Sequence, residues 1–189
     1  GVYFTVDDVD TCLGLVKDSG GQVLMPAMDV MDSGRMAFVA DPTGAAIGLW
    51  QAGNHTGAEL VNEHATLSWN ELMTDDTAAA AQFYGAVFGW RAETTEMPNG
   101  LYTSFWAEGN VEGNAAAGMM AKPEGMEFPS YWGVYFTVDD VDTCLGLVKD
   151  SGGQVLMPPM DVPEVGRFAV VQDPQGAAFT VITMATEQN

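Results

Sequence analysis

Residues 1–26, GVYFTVDDVDTCLGLVKDSGGQVLMP, recur without a single change at 133–158. Two identical segments carry identical propensities, caps and hydrophobic pattern, so a repeated supersecondary unit is the first thing to look for. Beyond residue 26 the copies stay in register while diverging. MDSGRMAFVADPTGAAIGLW at 31–50 faces PEVGRFAVVQDPQGAAFTVI at 163–182, keeping Gly-Arg, Asp-Pro and Gly-Ala-Ala. The perfect identity of the first half points to recent duplication, recombination or engineering.

The local grammar of one copy is readable. Gly133 to Val138 alternates and is rich in β-branched and aromatic residues, which predicts a strand. Asp139, Asp140 and Asp142 supply N-cap candidates and negative charge for the first turn of a helix. That helix carries Val141, Cys144, Leu145 and Val148 on one face, and Gly152-Gly153 ends it. Gln154 to Met157 predicts a second strand, broken by Pro158-Pro159. Arg167 to Gln172 and Ala177 to Thr183 predict a hairpin about Asp173-Pro174-Gln175-Gly176. The order is βαβββ.

The middle segment follows the same plan with different letters. Thr66 to Met73 predicts a strand, and Thr74, Asp75 and Asp76 offer caps for a helix through TAAAAQFYGAVF, stopped by Gly89. Trp90 to Met97 and Leu101 to Glu108 predict a hairpin about Pro98-Asn99-Gly100. A Gly/Asn-rich passage follows, and Ala115 to Ala121 completes the module.

Composition bounds what such modules do. Six Lys plus Arg stand against 26 Asp plus Glu, a net charge of −20. A surface of that sign repels phosphate backbones and anionic lipids, which excludes nucleic acid and membrane surfaces as partners. No apolar run has the length to cross a bilayer. Cys12 and Cys144 occupy equivalent places on apolar helix faces and read as free buried thiols, so a reducing, cytoplasmic setting is expected.

FYGAVFGW at 83–90 after a capped strand resembles the helix-to-strand signature of glyoxalase-type modules. YFTVDDVD, followed by GGQVL and GRFAVVQDPQGAAF, resembles the partner module. On these motifs the chain resembles the vicinal-oxygen-chelate superfamily of glyoxalases, bleomycin-resistance proteins and dioxygenases. In particular it is similar to bacterial glyoxalase-like proteins with four modules in tandem, of which it looks like the last three. The resemblance implies an α+β fold of repeated βαβββ modules paired as a half-open barrel around a small-molecule cleft. It implies a complete two-module domain at 66–184, from modules 66–124 and 132–184, with a tail at 185–189. Residues 1–53 then form an unpaired module before a linker at 54–65. A lone sheet with one apolar face and an open edge is a poor monomer, so that module is expected to find its mate in another chain, as a homodimer or by domain swapping.

Active members of the superfamily hold a divalent metal with His and Glu on the first and last strands of paired modules. Carried over residue by residue, the ligand positions fall on Trp69, Gly133 and Thr180, with Gly1 and Gly48 in the first copy. None is a competent ligand. His64 and Glu71 are the residues left for a displaced metal site, and no catalytic residue stands out. The two histidines, His55 and His64, and the lack of a Gly-x-Ser-x-Gly elbow give nucleophilic catalysis no support. What remains is a cleft with Trp69, Glu71, Trp106, Tyr135, Thr137 and Thr180 facing inward, suited to a small organic ligand, a cation included. Three readings follow: a metal-independent binder, with no cofactor; a metal-dependent lactoylglutathione-lyase-like, isomerase or ring-cleaving enzyme; and a truncated or engineered assembly with a vestigial cleft.

Overall fold

The computed structural model describes residues 1–98, 100–109 and 114–185. It has the α+β fold expected, three modules of one plan. The first consists of β1 (Tyr3–Thr5), α1 (Val9–Asp18), β2 (Gln22–Val30), β3 (Gly34–Ala40) and β4 (Ala46–Ala52). The second consists of β5 (Leu67–Thr74), α2 (Thr77–Phe88), β6 (Arg91–Met97), β7 (Gly100–Trp106) and β8 (Ala117–Ala121). The third consists of β9 (Tyr131–Thr137), α3 (Val141–Asp150), β10 (Gln154–Val162), β11 (Gly166–Gln172) and β12 (Ala178–Met184). In each, the helical crossover returns the chain so that the first strand lies parallel to the last, while the remaining pairs are antiparallel. The sheets are open.

The caps are those the sequence predicts. Asp8, Asp76 and Asp140 are N-caps, each accepting from the backbone N–H three residues on. Gly89 closes α2 in the left-handed conformation, at φ 68°. One expectation fails. Pro158-Pro159 does not break the second strand of its module: β10 runs through both prolines, as β2 runs through Pro26. Among the described residues each strand pairs with one neighbour, and its register against β11 or β3 shifts twice along the strand. A proline on an unpaired edge loses no ladder hydrogen bond, and bulges absorb the rest. The turn residue Asn99 and the passage 110–113 lie outside the described residues.

By internal contacts the chain divides into two compact units, one made of Gly1–Gly57 with Asn70–Trp132 and the other of Ala58–Trp69 with the chain from Gly133 onward. This grouping differs from the unpaired first module expected from the sequence. The apolar face of α1, Val9, Cys12, Leu13 and Val16, is buried, and α2 buries Ala80, Phe83, Tyr84 and Val87. A Cβ at Gly21 would stand 2.7 Å from the Phe83 ring, so the glycine lets module 2 approach the end of α1. Phe4 of β1 meets Trp90 and Trp132 edge-on at 4.8 and 5.0 Å. Within the chain, α2 and these rings cover the helix side of module 1. The other unit has its own core of Val138, Val141, Leu145, Ala169, Val171 and Val181.

Candidate functional site

Alternation along β7 buries Thr103 and Phe105 and turns Tyr102, Ser104 and Trp106 to the opposite face of the sheet. On that face Glu71 of β5 is in register with Gly118 of β8, and Gly118 with Ser104 of β7. With no side chain at Gly118, Tyr102 reaches across β8, and its hydroxyl donates to Glu71 Oε2 at 2.8 Å. Glu71 is only 7% exposed, so this is a carboxylate drawn out of water and held by a phenol. Burial, and then the Glu71 charge, push the Tyr131 phenol above its ordinary range. At the end of β7 the Trp106 indole N–H is buried with no hydrogen-bond partner among the described residues. The Arg91 guanidinium lies 5.8 Å over that ring and pairs with Glu93.

The second unit carries the other candidates. Tyr135 of β9 is in parallel register with Thr180 of β12, and Thr137 with Ile182. Thr180 is buried, and the Tyr135 ring stands 6.2 Å from Phe168. The Thr137 hydroxyl is buried with no hydrogen-bond partner among the described residues, while its backbone bonds Ala65 and Thr66. Trp69, half-buried, ends the segment of β5 that belongs to this unit. The structure therefore joins Glu71 to Tyr102, with Trp106 on the same face of β7 two positions beyond Ser104, and joins Tyr135 to Thr180 beside Thr137. Sequence reasoning missed Tyr102, although period-two spacing from Trp106 places it on the same face.

The residues do not fit the metal of the resemblance. Trp69, Gly133 and Thr180 offer neither carboxylate nor imidazole. At Gly48 a Cβ would stand 2.3 Å from the Tyr3 ring, so an aromatic side chain lies flat where the ligand of the first module would start. His64 is exposed in the segment before β5, its Nδ1 accepting from the Asp139 N–H at 3.2 Å and 3.1 Å from Asp139 Oδ2. Glu71 is engaged by Tyr102. Among the described residues no group of three or more His, Cys, Asp or Glu side chains could hold an ion. The thiols differ from expectation in one respect: Cys12 is buried, but Cys144 is only half-buried. No described helix is long and apolar enough to cross a membrane.

Repeated βαβββ modules with an inward carboxylate on the first strand of one of them define a protein of glyoxalase-like architecture. Residues 63–181 match the model of the Glyoxalase/Bleomycin resistance protein/Dioxygenase superfamily, and the chain belongs to that family. It is 48% identical over 186 residues to a protein of Mycobacterium bovis named putative glyoxylase CFP32, covering 98% of this chain and 70% of the relative. It is 38% identical to the anthracycline biosynthesis protein DnrV of Streptomyces peucetius, covering 97% of this chain and 65% of the relative. The chain thus spans less than two thirds of DnrV. Among solved structures, the Mn(II)-bound glyoxalase of Novosphingobium aromaticivorans superposes with a TM-score of 0.63 at 13% identity, over 96% of this chain and 61% of that one. The 2,2',3-trihydroxybiphenyl 1,2-dioxygenase of Sphingomonas wittichii gives 0.61 at 16%, over 96% and 68%. These two likenesses concern the fold.

Proposed function

We propose that the chain binds a small aromatic cation, without a metal, on the sheet face that carries Glu71. The observation behind this reading is the buried Glu71 carboxylate held at 2.8 Å by Tyr102, on a face that also presents the Trp106 indole. A carboxylate in a poorly solvated place attracts an organic cation more strongly than one in water, and an aromatic wall adds stacking and cation–π attraction. The absence of carboxylate and imidazole from Trp69, Gly133 and Thr180 separates this reading from the family's metal-dependent lyases and dioxygenases. The free thiols Cys12 and Cys144 suit a cytoplasmic setting. The name of the Streptomyces relative suggests the probe.

The test is a titration of tryptophan fluorescence with an amino-sugar anthracycline, a planar aromatic cation, on protein pretreated with chelator. Saturable binding is expected, weakened about tenfold by Glu71→Gln, an amount that corresponds to losing one charge-assisted contact. Binding that needs added Mn(II), Ni(II) or Zn(II), or affinity unchanged in Glu71→Gln, would overturn the proposal.

A further inference from the structure

Because residues 1–26 and 133–158 are the same sequence, the two copies of the helix report on their surroundings alone. The copies differ in burial along one continuous face. Cys12 and Val16 of α1 are buried, at 5% and 0% exposure, whereas Cys144 and Val148 of α3 are half-buried. Leu15 is 41% exposed and Leu147 64%. The face continues onto the turn after the third strand: Ala45 is fully buried and Ala177 exposed, Asp41 buried and Asp173 half-buried.

The first copy is covered by α2. The Phe83 ring of α2 packs on Gly21, and the Tyr84 hydroxyl donates to Asp41 Oδ2 at 2.7 Å. Asp41 uses its other oxygen, Oδ1, to accept from the backbone of Thr43 and Ala45. Asp173 holds its own turn in the same way, its Oδ1 accepting from the backbone of Gln175 and Ala177 at 2.9 Å each. One polar change falls on this face, Gln172 in place of Ala40. Its amide folds back to donate to Gly176 O at 3.0 Å, along the turn rather than across the helix.

We infer that the face of α3 made by Cys144, Leu147, Val148 and Asp173 is a docking surface for a partner helix of the α2 type. Its occupant presents a Phe-Tyr pair, the phenyl ring over Gly153 and the phenol to Asp173 Oδ2. A second copy of this chain is the weaker occupant, because its α2 already covers its own α1. An α2-type module belonging to a partner has that helix to offer.

The test reads thiol alkylation site by site in the intact chain, with a peptide of the sequence Asp75–Trp90 as probe. In the chain alone, Cys144 alkylates faster than Cys12, whose thiol burial pushes up to about 11. Saturating peptide is expected to slow Cys144 about tenfold while leaving Cys12 unchanged, as binding to a closed site does. Val148→Asp, and independently Leu147→Asp at a more exposed position, abolish the protection. Four outcomes overturn the inference: Cys144 unaffected by millimolar peptide; equal protection by a peptide carrying Phe83→Ala and Tyr84→Ala; protection that survives both aspartate variants; or, without peptide, Cys144 as slow as Cys12 in a chain of dimer mass, which assigns the face to a second copy.

Discussion

The hydroxyl of Tyr84 donates to Asp41 Oδ2 at 2.7 Å and accepts from the Trp132 indole N–H at 2.8 Å. All three residues are buried, so the phenol joins the turn of the first module to the helix of the second through a charge-assisted bond inside the protein. Tyr84→Phe leaves one carboxylate oxygen and one indole N–H short of a partner in a dry place. The expected loss is about 2–4 kcal/mol in denaturant unfolding. A loss below about 0.5 kcal/mol would mean that water replaces the hydroxyl at no cost.

Burial, followed by the charge of Asp41, raises the ionisation of Tyr84 well above its ordinary range. A folded-state value above the unfolded one gives stability that is fully present below the unfolded phenol's pKa, near 10, and is lost as pH rises above it. The protein should therefore lose stability as pH climbs above about 10, and Tyr84→Phe should flatten that slope. Unfolding midpoints at several alkaline pH values, wild type against variant, decide it.

Tyr131 titrates high because it is partly buried and because Glu71 is negative. In Glu71→Gln only the second cause disappears, so the phenol's midpoint should fall without returning to that of free tyrosine. Spectrophotometric titration with Tyr131→Phe as the reference isolates it. An unmoved midpoint would place the two side chains too far apart to interact.

The repeat provides an internal control for burial. Val16→Ala empties a site of 0% exposure and should cost about 2–3 kcal/mol. Val148→Ala, in the same local sequence but half-buried, should cost about 1 kcal/mol. Equal losses in thermal or denaturant unfolding would contradict the different covering of the two helices.

Since the family's metal positions carry indole, hydrogen and hydroxyl, Mn(II), Ni(II) or Zn(II) should leave the melting temperature unchanged. Any ion bound to the folded state alone raises it by mass action. A rise of more than about 3 °C at a low ion concentration would point to ligands not recognised in this chain.

Much of the architecture is legible in the sequence. Asp8, Asp76 and Asp140 announced their helices because a cap is a contact over three residues, and GGQ or FGW marked where those helices stop. The βαβββ order came from the same short-range signals, and the resemblance to glyoxalase-type modules implied that the ligand positions, Gly133 and Thr180 among them, hold no ligand. Strand continuity through Pro26 and Pro158-Pro159 was not legible, because edge position depends on which neighbours a strand acquires. Tyr102 was overlooked for a related reason: its bond to Glu71 spans three strands and 31 positions of sequence.

The sequence by itself determined the repeated module and its caps, both of which rest on residues close together in the chain. Only the tertiary structure decided which module covers α1, what Asp41 does with its second oxygen, and why identical helices are buried to different depths. Burial is a property of neighbours brought from far along the chain, so two copies of one sequence fix the same helix and leave its surroundings open.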